Sequence, residues 1–261
     1  MSGGMLEVTK VSKTFGGLKA VSDVSFTVPP GQIFGLIGPN GAGKTTIFNV
    51  ATGVYRPDAG GTVRLGGQEI HHLPPFRIAA LGVARTFQNI RVFGEMSVVE
   101  NVLVSAHLSS KVGLWATVLR TGSLVREEKE RLEKALELLK IFDLHEVWRE
   151  QARNLPYGSQ RRLEIARALM LGPKVLLLDE PAAGMNTNEA LALNEQIRWL
   201  RDRFQLTIVL VEHNMKVVMG VCERIHVVDH GETIAEGTPA EIQKDPHVIA
   251  AYLGEDIDDG N

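Results

Sequence analysis

Nine consecutive residues, Gly38-Pro39-Asn40-Gly41-Ala42-Gly43-Lys44-Thr45-Thr46, constrain this chain more than any other stretch. Two glycines five apart, then a lysine and a hydroxyl residue, form a pattern whose backbone N–H groups can close around an anion. The flanks supply the context that the pattern requires. Ile33 to Ile37 reads as a short buried strand ending at Gly38, and Lys44 onward reads as a helix up to Gly53. Such a helix aims its positive end at phosphates, Lys44 adds a full charge, and Thr45 offers a hydroxyl to Mg2+. The expectation is a nucleotide site lined by residues Gly38 to Thr46.

The rest of the chain supports a parallel-sheet protein built around that loop. Val175 to Leu178 and Ile208 to Val211 are apolar runs, each followed by a charged residue, as expected of strands buried on both faces. Leu6 to Val11 and Val24 to Val28 read as short antiparallel strands, cut off by Phe15-Gly16-Gly17 and by Pro29-Pro30-Gly31. The stretch from about Gln88 to Gly172 is mostly helical by pattern and reads as an inserted lobe. Within it, Leu132, Leu136, Leu139 and Phe142 predict one apolar helix face, with Glu127–Arg131 and Glu130–Lys134 pairs on the outer face. The fold class expected is α/β. One domain spans residues 6–254, with its core and antiparallel part in 6–87 and 173–254, the lobe at about 88–172, and tails at 1–5 and 255–261.

Composition narrows the functional classes. A net charge of −3 without a long Lys/Arg run argues against a nucleic-acid partner. The one cysteine, Cys222, excludes an intrachain disulfide and a cysteine-rich zinc cluster, which suits the cytoplasm. The N-terminus has no basic stretch followed by an apolar core, so it does not read as a secretory signal. Apolar runs such as Val175 to Leu178 and Ile208 to Val211 have four residues each, whereas a spanning helix needs roughly 20. A membrane role would therefore use another protein's spans.

Four positions stand out as chemistry beyond the loop. Asp179 and Glu180 end a buried strand, so one carboxylate can join the Mg2+ shell while the other polarises the attacking water. An acidic strand cap is the alternative. His213 follows Glu212 after the run Ile208 to Val211, at the sheet edge where the loop should lie. Position alone separates it from the other seven histidines, which read as surface residues. Gln88, at the junction of core and lobe, is an amide that can reach a metal, although alone it means nothing.

In order, Phe15, the loop from Gly38, Gln88, Leu155-Pro156-Tyr157-Gly158-Ser159-Gln160, Asp179-Glu180 and His213 resemble the nucleotide-binding domain of ABC transporters. The resemblance covers nearly the whole chain. It implies an ABC ATPase cassette, a P-loop NTPase with a small antiparallel β subdomain and an inserted helical subdomain. It also implies ATP and Mg2+ as cofactors, and head-to-tail pairing in which each ATP lies between one subunit's phosphate loop and the other's signature segment. Glu180, His213 and Lys44 take the catalytic roles, Thr45, Gln88 and Asp179 the metal, and Phe15 the adenine. Tyr157, Gly158 and Ser159 act across the dimer. Two departures are visible. Pro156 stands where the family usually has a serine, and Asn186 stands where the loop after the carboxylates usually ends in aspartate.

Arg85-Thr86-Phe87-Gln88 with Phe93, Leu155 to Ala168, and Ala182-Ala183-Gly184-Met185-Asn186 resemble most the ATPase subunits of bacterial branched-chain amino-acid importers. That implies a homodimer or a heterodimer with a second ATPase, integral membrane permease subunits, and indirectly a solute-binding protein. The location implied is the cytoplasmic face of the inner membrane. The segment Lys111 to Ser123, with Trp115 and Val118-Leu119, reads either as a packed helix or as a docking surface for a membrane partner. The C-terminal stretch from Val221 to Asp256 also resembles the ATPase of the lipopolysaccharide exporter, which is the alternative. Soluble ATPases of the family that act on nucleic acid or ribosomes commonly carry two cassettes, zinc modules or long coiled coils, none of which this sequence suggests.

Overall fold

The computed structural model describes residues 4–86, 91–106 and 122–258. They form two compact units, one comprising the chain up to Ile78 and from Lys174 onward, the other Ala79 to Pro173. The first unit opens with β1 (Leu6–Phe15), β2 (Leu18–Val28), β3 (Ile33–Ile37), α1 (Lys44–Ala51), β4 (Thr62–Leu65) and β5 (Gln68–Glu69). Helix α2 (Pro75–Leu81) leads to the second unit, which holds β6 (Val83–Arg85), α3 (Val98–Ala106), α4 (Gly122–Ile141) and α5 (Tyr157–Met170). The chain returns through β7 (Val175–Asp179), α6 (Thr187–Phe204), β8 (Thr207–Val211) and α7 (Met215–Val221). It closes with β9 (Arg224–Asp229), β10 (Glu232–Gly237), α8 (Pro239–Ile242) and α9 (Pro246–Asp258). The second unit begins at Ala79, ahead of Gln88.

In the first unit β3 pairs in parallel with β8 on one side and β9 on the other, and β7 flanks β8. Every residue of β3, β7 and β8 is buried, which is why these strands read as unbroken apolar runs. The register sets Leu36 opposite Val211 and Val211 opposite Asp179, so the carboxyl ends of β3, β8 and β7 are level. Ligands of open parallel sheets bind outside such ends.

The antiparallel sheet runs β2-β1-β4-β5. Its first hairpin is longer than the alternation suggests, reaching Phe15 and resuming at Leu18 across Gly16-Gly17, both at positive φ (50° and 93°). That two-residue turn matches the twist of the flanking strands. Bulges hide the continuity. Lys10 and Asp23 lie at register shifts with left-handed backbones, and their N–H groups donate to the Ser25 and Ser12 hydroxyls (2.8 and 2.9 Å).

Phe26 of β2 stacks on Phe34 of β3 (5.3 Å between centroids) and lies against His226 of β9 (5.1 Å). His226 is therefore not a surface residue, as its sequence context suggests, but wholly buried. Its Nδ1 lies 2.9 Å from a Glu236 carboxylate oxygen and its Nε2 lies 2.9 Å from the Thr233 hydroxyl. Arg224 donates to the other Glu236 oxygen (2.6 Å) and neutralises that carboxylate. Burial holds the imidazole below its ordinary pKa.

In the second unit α3, α4 and α5 pack on one another. The buried stripe of α4 is Ala135, Leu138 and Leu139, continued by Phe142, while Leu132 is exposed and Leu136 half-buried. Among the described side chains of α4, those buried start at Ala135, so the apolar spacing overestimates the buried face. The Glu127–Arg131 pair forms. The Glu130–Lys134 pair does not, because Lys134 donates to the Met170 carbonyl at the end of α5 (2.9 Å), a fixed acceptor carrying the helix's partial negative charge.

Candidate nucleotide site

The loop between β3 and α1 is shaped by what surrounds its glycines. At Gly38, with φ of 152°, a Cβ would sit 1.9 Å from the Val228 carbonyl oxygen, so only glycine lets β9 pass. At Gly43, with φ of 98°, a Cβ would lie 2.6 Å from the Ala20 oxygen, and this residue caps α1. The floor is braced by the β9–β10 turn. Gly231 N–H donates to the Ala42 carbonyl (3.1 Å), and the Gly231 carbonyl accepts from Ser22 N–H (2.7 Å). Lys44 is buried, and its Nζ donates to the Gly38 and Pro39 carbonyls, both at 2.6 Å. Pro39 and Ala42 are buried and Thr46 half-buried, so the open face of the loop is Asn40, Gly41 and Thr45. No side chain fills the space at Gly41, where a Cβ would meet nothing within 4 Å. A glycine cradle, a helix start and a lysine at its centre fit a phosphate chain.

Asp179 is buried at the end of β7, level with the end of β3 that feeds this loop. A carboxylate there and the Thr45 hydroxyl are the hard oxygen donors Mg2+ prefers, with the remaining positions left to phosphate oxygens and water. Gln88, the third metal residue expected, lies outside the described residues, as does the segment Trp115 to Leu119.

Glu180 is one of the few non-glycine residues with a left-handed backbone, at φ of 45°. That conformation costs about 1–2 kcal/mol and persists only where neighbours impose it. Here Glu180 N–H donates to the Val211 carbonyl (2.8 Å). Its carboxylate faces His213, with Oε1 3.7 Å from Nδ1, while the ring is more than half exposed. The structure thus brings Glu180 and His213 together above the strand ends.

Glu212 is the residue that sequence reasoning overlooks. It is wholly buried. Its Oε1 accepts from Ala182 N–H (2.6 Å), and its Oε2 accepts from the N–H groups of His213 (3.2 Å) and Asn214 (3.1 Å). The available signal was a carboxylate directly after an apolar strand, which reads equally well as a strand terminus.

Phe15 is exposed at the hairpin tip, edge-on to Tyr55 (5.0 Å between centroids), with Lys13 Nζ 5.4 Å from its ring centre. Lys13 pairs with Val21, whose side chain abuts Gly43, so the hairpin tip and the loop are neighbours. In the second unit α5 begins at Tyr157. Pro156 is its N-cap, and its carbonyl accepts from Ser159 N–H (2.9 Å) and Gln160 N–H (3.0 Å). Tyr157 and Gly158 are exposed, and their first-turn N–H groups point out of the helix. The Ser159 hydroxyl accepts from Arg162 (3.1 Å). Asn186 caps α6, its side-chain oxygen accepting from Asn188 and Glu189 N–H groups (3.0 and 3.1 Å). It completes a capping box, in which Glu189 accepts from Asn186 N–H (2.8 Å).

Comparison with known proteins places the chain in a family. The ABC transporter family model matches residues 21–183, more than half of the chain. A second model, branched-chain amino acid ATP-binding cassette transporter, matches residues 232–258. The chain is 49% identical to the high-affinity branched-chain amino acid transport ATP-binding protein LivG of Escherichia coli K12 over 255 residues, 98% of this chain and 100% of LivG. It is 47% identical to the corresponding protein BraF of Pseudomonas aeruginosa over the same shares. Among solved structures, the ADP conformation of an ATP-binding cassette of an ABC transporter superposes with a TM-score of 0.82 at 31% identity. That superposition covers 97% of this chain and 99% of the other.

Proposed function

The chain belongs to the ABC transporter ATP-binding family, and from that premise we propose that it is the ATP-hydrolysing subunit of a bacterial branched-chain amino-acid importer. The names of its relatives and the family match over residues 232–258 support the substrate class. That match falls on the stretch that sequence reasoning left open to the lipopolysaccharide exporter. Among the described residues no helix is long and apolar enough to cross a membrane. The proposed location is therefore peripheral, on the cytoplasmic face of the inner membrane against separate permease subunits. The solute is selected by a binding protein outside.

In this reading residues Gly38 to Thr46 hold the phosphates of ATP, and Lys44 turns from the Gly38 and Pro39 carbonyls to phosphate oxygens. Phe15 supports the adenine. Thr45, Asp179 and Gln88 hold Mg2+, which when bound neutralises charge on the β- and γ-phosphates. Glu180 orients and polarises the attacking water, and His213 donates to the γ-phosphate. Tyr157, Gly158 and Ser159 of a second cassette close the site, their helix start facing the anion. The departures at Pro156 and Asn186 leave that closure to backbone N–H groups and neutral contacts.

The observation that carries this reading is Glu180, fixed in a left-handed conformation at the level of the phosphate loop and aimed at His213. Glu180→Gln is expected to bind ATP, to lose turnover by about 100-fold or more, and to trap an ATP-bound dimer. Hydrolysis at the unmodified rate by a monomer would refute the assignment. For transport, cells lacking this gene should regain leucine uptake with the unmodified chain and not with Glu180→Gln.

A further inference from the structure

Between Glu180 and His213 lies a buried carboxylate to which the function just proposed gives no part. Glu212 reaches two separate segments, one with each oxygen. Oε1 takes Ala182 N–H at 2.6 Å, in the segment that follows Glu180, and Oε2 takes the His213 and Asn214 N–H groups at 3.2 and 3.1 Å. A wholly buried carboxylate is costly to desolvate unless several donors satisfy it, and these three backbone groups do so.

The placement has a mechanical consequence. Glu180 is strained, and it is gripped on both sides by consecutive residues of one strand end. Its own N–H is held by the Val211 carbonyl at 2.8 Å, and two residues later Ala182 N–H is held by the Glu212 carboxylate. The same carboxylate fixes the backbone that projects His213. We propose that Glu212 is a positioning residue for hydrolysis, a single anion that locks the water-orienting Glu180 segment and the histidine turn into one geometry. The inference rests on the roles assigned to Glu180 and His213. It also reaches the segment Ala182 to Asn186, whose first N–H it holds.

A neutral amide in the same place keeps the shape but replaces one acceptor oxygen by a donor that opposes the backbone N–H groups it faces. Glu212→Gln in the full chain should therefore lower kcat by about 10- to 100-fold, the scale set by small misplacements of reacting groups. KM for ATP should stay within about twofold, because the phosphate loop is untouched. Glu212→Gln should also add little to the loss already caused by His213→Ala, since both act through one geometry. An unchanged kcat, or a loss confined to KM, overturns the positioning role.

Hydrogen exchange provides a second measurement if Glu212→Gln does not fold. In the unmodified protein the Ala182 amide should exchange as slowly as that of Glu180, and exchange at the rate of an open loop overturns the tie. These outcomes are separable from the parent reading. If Glu180→Gln and His213→Ala retain full ATPase activity, the catalytic assignments themselves fail. If they abolish it while Glu212→Gln does not change kcat, only the positioning role fails.

Discussion

Gly38 and Gly41 belong to one motif yet meet opposite surroundings. A Cβ at Gly38 would lie 1.9 Å from the Val228 carbonyl oxygen, while one at Gly41 would meet nothing within 4 Å. Gly38→Ala must displace backbone and should cost more than about 3 kcal/mol, whereas Gly41→Ala carries only the left-handed penalty of about 1–2 kcal/mol. Urea denaturation of the two variants checks the ordering, and equal losses would contradict it. The motif is legible in the sequence because its chemistry is local. Which glycine is indispensable is not, since the clashing atom sits far along the chain in β9. Glu212 and His226 escaped for the same reason. A charged or titratable side chain is buried by partners such as Ala182 or Phe26 that no local pattern links to it.

Elements were legible where packing is uniform along their length. Strands β3, β7 and β8 are buried at every position, so an apolar run and a strand coincide. Helix α4, where Leu132 is exposed and Leu136 half-buried, and α5, which starts at a proline, were less so. Proline reads as a stop, yet Pro156 at N-cap leaves its carbonyl free to accept the first bonds of α5. It gives that helix no side-chain acceptor. Pro156→Ser supplies one, worth about 1 kcal/mol to the helix start, and adds a hydroxyl on the face proposed to meet ATP. ATP-driven dimerisation and ATPase activity of Pro156→Ser should both rise in the isolated subunit. If analytical ultracentrifugation and turnover find neither changed, the proline does not limit closure.

Stability of the whole molecule should depend on His226. Its pKa is depressed by burial, so the folded chain keeps it neutral at a pH where the unfolded chain takes up a proton. The contribution is complete above the ordinary histidine pKa near 6.5 and is lost as pH falls below it toward the folded value, by at most about 1.4 kcal/mol per pH unit. Urea midpoints from pH 7.5 to 5.5 should fall, and His226→Gln should flatten the decline. An unaltered slope would mean that other groups set it. The arrangement of strands around β3 carries one more implication, for how the chain assembles. The loop sequence is made early, but the strands on either side of β3 are β8 and β9, and the brace on Ala42 is Gly231. A ribosome-bound chain therefore exposes the loop long before it owns the walls. Pairings this distant in sequence form late. The loop is therefore braced on both sides only after β8, β9 and Gly231 have all been made.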